Sequence, residues 1–189
     1  MSRMSILVAR PKRTLAALAT VLVAVGITAA SGADFTATSA NADTTFATGT
    51  LTIENSKDAA AIFAATSDMR PGDPARTGTV DIENTGSLSG AFKLVRGTVS
   101  DDDATYKLST KLNLVVKDCG DFSSGAPTCD AGDPTKYTGT IAAFGTAADL
   151  GTFAGGEKHR YQFSVTVDGS ADNDYQGLTS VVPFSWTAS

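Results

Sequence analysis

The chain has 189 residues, 15 Lys and Arg against 20 Asp and Glu, one His and two Cys. That length suits one domain plus a processing segment, and 42% hydrophobic residues are enough for a core, so disorder throughout is excluded. Four of the basic residues lie in the first 13 positions. Without them, 11 basic face 20 acidic residues, a net −9 that argues against nucleic-acid or anionic-membrane partners.

The first element is a leader. Arg3, Arg10, Lys12 and Arg13 precede an uncharged run from Thr14 to Ala33, which ends in small residues. A cationic start, an apolar centre and an A-x-A-like exit make a secretory signal over residues 1–33, with cleavage after Ala30 or Ala33. A transmembrane anchor of 20 uncharged residues is the competing reading. The Ala-rich span and the absence of a basic cluster after it favour cleavage, which leaves no stable membrane anchor. The mature chain is then a single domain, 34–189, in an oxidising compartment.

Beyond residue 34, apolar residues recur with period two rather than 3.6. Thr48–Ile53 and Ala60–Ala65 are short strand candidates. Val80 and Ile82 alternate with Asp81 and Glu83, and Phe92 and Leu94 flank Lys93. Leu112, Leu114 and Val116 share a face, as do His159, Tyr161, Phe163, Val165 and Val167, and Phe184 and Trp186 close the series. Turn chemistry separates them: Arg70–Pro74, Asn84-Thr85-Gly86, Ser100–Asp103, Gly155-Gly156 and Asp168-Gly169. A helical turn is expected near Thr146–Leu150. The pattern predicts an all-β fold of seven or eight strands, a two-sheet antiparallel sandwich with jelly-roll or Ig-like topology.

The Gly/Pro/Asp-rich segment Asp118–Lys136 carries Cys119 and Cys129. In an exported chain with two cysteines, a bond between them is expected. Their spacing is not that of a redox C-x-x-C or a zinc site.

Catalytic templates find few takers. His159 is the one imidazole, too few for catalytic zinc, and no motif pairs it with a serine. No catalytic residue and no cofactor is assigned. Asp101, Asp103, Asp172 and Asp174 are calcium candidates, because D-x-D loops can offer several oxygens. Neither cluster follows the EF-hand pattern, and short acidic loops also solubilise hairpin ends.

Four motifs then occur in order: Phe46-Ala47-Thr48-Gly49-Thr50-Leu51, Pro71-Gly72-Asp73, Asn84-Thr85-Gly86-Ser87-Leu88 and Tyr175-Gln176-Gly177. Over about residues 34–188 this order resembles the TasA/camelysin family of exported bacterial surface and matrix proteins. The resemblance implies a jelly roll, a dedicated signal peptidase, and a secreted protein of the extracellular matrix or cell surface. It also implies head-to-tail fibres in which the N-terminal segment of one subunit completes a sheet of the next. Segment 34–46 would be that donor, with Phe35 and Phe46 as its apolar anchors, and the partner would be a second copy. A secreted metallopeptidase, the activity label of camelysins, is an alternative, but without a zinc motif that activity is not carried over. A monomeric surface binding module, using loops at one end of the sandwich, is a further alternative.

Overall fold

A computed structural model describes residues 48–63 and 67–189. The leader 1–33 and the segment 34–46, with Phe35 and Phe46, lie outside the described residues. Thr48–Ser189 forms one compact unit of ten strands and two short 3-10 turns.

The strands are β1 (Ile53–Asn55), β2 (Arg76–Asn84), β3 (Gly90–Arg96), β4 (Ser100–Asp101), β5 (Leu112–Asp121), β6 (Thr135–Thr140), β7 (Ala147–Phe153), β8 (Lys158–Val167), β9 (Ser180–Val181) and β10 (Phe184–Ala188). They pair antiparallel as a five-stranded sheet, β1-β2-β8-β5-β6, a three-stranded sheet, β10-β3-β7, and a β4-β9 ribbon. The all-β sandwich expected from the alternation is therefore present.

Alternation sets the core. Leu114 and Val116 of β5, Tyr161, Phe163 and Val165 of β8, and Val80 and Ile82 of β2 point inward from the larger sheet. Phe92 and Leu94 of β3 and Leu150 and Phe153 of β7 meet them from the smaller one. Phe92 stacks on Phe153 with centroids 4.3 Å apart. Outward positions on β2 and β8 carry charges instead. Arg160 grips Asp81 through two hydrogen bonds of 2.7 and 2.8 Å, and Lys158 pairs with Glu83 at 2.5 Å. These are cross-strand pairs set by the register.

Three local expectations change. The helical turn near Thr146–Leu150 is strand β7. Ala148 and Leu150 are buried and Ala147 and Asp149 exposed, so burial against β3 overrides the weak helix propensity of the alanines. A bulge between Phe92 and Lys93 accommodates Gly151, whose φ of 105° suits only glycine well. The loop Asp118–Lys136 is shorter than expected, because β5 runs to Asp121 and β6 starts at Thr135. Thr48–Ile53 becomes strand only at Ile53, and residues 60–63 are not strand.

The strand order discriminates between the two topologies. In the eight-stranded jelly roll, lettered B to I, the sheets run BIDG and CHEF. Strands β2, β3, β5, β6, β7, β8 and β10 occupy C to I in that pattern: β2-β8-β5-β6 is CHEF, and β10-β3-β7 is IDG. The place of strand B, beside β10, is empty among the described residues. The strand that precedes C, β1, pairs with β2 in the other sheet over three residues.

Candidate functional site

Two features stand out: a sheet edge without a partner strand among the described residues, and a charge cluster at one end of the core.

The edge is β10. Its ladder to β3 closes Ser189 against Ala91 through both N–H···O bonds, at 2.8 and 3.1 Å, and Gly97 N–H onto the Pro183 carbonyl at 2.9 Å. In an antiparallel ladder, bonded and non-bonded pairs alternate. Ser185 and Thr187 therefore turn their backbone groups toward β3, while Phe184, Trp186 and Ala188 turn theirs toward the empty flank. The same three side chains face the core, and Ser185 and Thr187 face solvent. Phe184 packs against Phe163 and Phe144 at 5.5 and 5.8 Å, and Trp186 against Phe163 at 6.5 Å.

Beside this edge lies a groove of about 1840 Å³. Leu112, Leu114, Ile141 and Val165 lie in its wall, Phe184 and Trp186 flank it, and Ile53, Ile62, Phe63 and Met69 form the far side. It reaches residues that belong to the hydrophobic core. The opposite flank differs. There Lys136 of β6 donates to the Leu150 carbonyl of β7 at 3.0 Å, joining the two sheets, and bulges interrupt both outer ladders. Bulges and a bridging lysine are the usual means of protecting an edge from further pairing.

The charge cluster centres on His159, which faces inward at the start of β8. Nδ1 lies 3.0 Å from Asp118 Oδ1, and Nε2 lies 2.8 Å from Glu157 Oε1. Phe153 stacks on the ring at 4.5 Å, and Lys136 Nζ approaches Asp118 Oδ2 at 3.4 Å. Burial pushes the His159 pKa down, but the two carboxylates outweigh it and the net shift is upward. Burial likewise raises Asp118, yet hydrogen bonds from His159 and the Gly120 N–H bring it below the usual carboxylate range. The bond from His159 also lowers Glu157. With both ring nitrogens facing carboxylates, the imidazolium form fits this site. The ring has no free nitrogen for a metal or a substrate proton. The sequence signal was parity: Asp118 continues the inward series Leu114, Val116, and His159 the series Tyr161, Phe163.

Cys119 and Cys129 are joined in a disulfide, with Cα atoms 4.8 Å apart. Such bonds persist in oxidising surroundings. Among the described residues no helix is long and apolar enough to cross a membrane.

The four aspartates proposed for calcium sit at one pole, and three of them accept hydrogen bonds from their own loops. Asp101 accepts from the Ser109 N–H and hydroxyl at 2.9 and 2.7 Å, and Asp103 from the Thr105 and Tyr106 N–H groups, both at 2.7 Å. Asp172 accepts from the Asp174 N–H at 3.1 Å, and the Asp174 carboxylate pushes the nearby Tyr106 hydroxyl upward. Tyr106 and Tyr175 meet edge to face at 5.7 Å and bring the two loops together. The aspartates do not converge. Among the described residues, the one group of three ligating side chains close enough for a single ion is Cys119, Cys129 and Asp133, and its sulfurs are bonded to each other.

No protein-family model matches the chain, and no curated protein matches it.

Proposed function

We propose that the chain is an exported, non-catalytic structural subunit of an extracellular matrix or cell-surface fibre. Each subunit donates residues 34–46 as a strand to the β10 edge of the next. The observation that carries this reading is the unpaired edge of Phe184, Trp186 and Ala188 beside an apolar groove, at the one place a jelly roll reserves for a further strand. An extended peptide laid there would satisfy the open backbone groups and cover core residues, which is β-strand addition. Donor and acceptor are different parts of one molecule, so the contact is head-to-tail and propagates.

The donor segment suits the task. It is rich in Thr, Ser and Ala, and contains no Pro or Gly. Phe35 and Phe46 are eleven residues apart, an odd number, so in one unbroken strand they lie on opposite faces. One of them enters the groove and the other lies on the outer face or at the joint. The leader and the disulfide fit a secreted product.

The test is deletion of residues 34–46 from the mature chain. The truncated protein stays a folded monomer and forms no filaments by electron microscopy, whereas the intact mature chain polymerises. Normal filaments from the truncation would overturn the donor role.

A further inference from the structure

We propose that the Trp186 side chain fixes the register of the added strand, by donating its indole N–H to a side-chain hydroxyl that the incoming strand presents. This rests on the strand-donation reading above, and the occupant is residues 34–46 of a second copy of the chain.

Trp186 Nε1 is buried and has no hydrogen-bond partner among the described residues. The ring it meets on the facing sheet is that of Phe163, which offers no acceptor. A buried donor left unpaired is costly, and native structures rarely leave one so without a reason. The unmet group sits in the strand whose flank is open, on a residue that lines the groove. A strand added along that edge can bring an acceptor to it when the indole and its cover shift to meet the new strand.

The donor's composition matches that need. Residues 34–46 contain Thr36, Thr38, Ser39, Thr44 and Thr45, but no Val, Ile or Leu. Between its two phenylalanines the segment offers only small side chains to the groove, so apolar packing there discriminates poorly among registers. A slip of two residues keeps every side chain of that stretch on its face and, at several positions, exchanges an alanine for a threonine. One hydroxyl opposite a buried N–H separates those registers wherever the slip puts an alanine in its place, as Ala40 does for Thr38 and Ala42 for Thr44, because the donor is then left unpaired.

Trp186 is the sole tryptophan of the chain, so 15N-indole labelling yields one N–H signal. That signal is read in the monomer by solution NMR and in filaments of the mature chain by solid-state NMR. In filaments it moves downfield and exchanges more slowly with deuterium. Replacing Trp186 by benzothienylalanine keeps the ring shape and removes the N–H. This variant melts with the wild-type monomer but needs about tenfold more protein to polymerise. One Thr→Val or Ser→Ala change at positions 36, 38, 39, 44 or 45 has the same effect. Filaments with an unbonded indole and an unchanged critical concentration for the isostere would overturn the role of Trp186 and leave strand donation standing. Failure of the wild-type chain to form filaments would instead overturn the reading beneath it.

Discussion

His159 and Asp118 meet across neighbouring strands, 3.0 Å from Nδ1 to Oδ1, on the face of the sheet that looks into the core. A half-buried imidazolium with a carboxylate on each side is held by its partners, and Asp118, 6% exposed, depends on it in turn. Removing one partner of such a cluster leaves the other charge stranded in a poor solvent.

His159→Gln therefore destabilises the fold by about 2–4 kcal/mol at neutral pH. The check is chemical denaturation of variant and wild type. A loss below half a kcal/mol would show that the cluster is dispensable.

The cluster also sets a pH profile. His159 is raised from 6.5, so its contribution is complete below that value and fades as pH climbs through the raised one. Asp118 and Glu157 are lowered from 3.8 and 4.5, so theirs is complete above those values and fades under acid. The melting temperature of the wild type is highest between about pH 4.5 and 6.5, and falls on both sides. In His159→Gln the alkaline fall disappears. A wild-type profile flat from pH 6 to 9 would contradict this.

The buried Asn84, fully enclosed, holds the β2–β3 turn to the β7–β8 turn. Its Nδ2 faces the Leu88, Phe153 and Ala154 carbonyls at 2.8 to 3.3 Å, and its Oδ1 accepts from the Gly86 N–H. Asn84→Ala costs about 2–3 kcal/mol through the carbonyls it abandons. Asn84→Asp costs more, because a carboxylate then faces three carbonyl oxygens. The comparison of the two midpoints in denaturant gives the order.

Proline separates the two sides of β10. At Ala188 the N–H points to the open flank, so Ala188→Pro spares the ladder to β3 and blocks strand addition. At Thr187 the N–H points to β3, so Thr187→Pro lowers the melting temperature of the monomer itself. Light scattering and thermal melts of both variants distinguish the flanks. Equal effects on melting would refute the assignment of edges.

Reduction of Cys119–Cys129 releases a short loop whose ends lie ten residues apart in sequence. The chain-entropy model gives about 2–3 kcal/mol for a loop of that size. Denaturation midpoints with and without reductant measure it.

Much of this molecule is legible from parity. The five strongest strands follow from apolar residues two apart, because one face of each strand is buried and the other wet. β7 is hidden in the sequence, since Ala147, Ala148 and Gly151 carry no β-branched signal and its place is decided by what β3 offers across the ladder. β4 and β9 are too short to have a period. The cluster around His159 was obscured at Asp118, whose charge at core parity reads as the end of a strand although β5 runs on to Asp121. The open flank is not a property of any segment. It emerges when strand order is known, because an empty place is defined by its neighbours.

The bridge from Lys136 to the Leu150 carbonyl ties β6 to β7 and so fastens the two sheets together on that side. On the proposed mode of assembly a strand is taken up at β10 and not there, and filaments lengthen without side growth from the β6–β7 margin. Aggregates that grow sideways from that margin would then mean that this fastening had come undone.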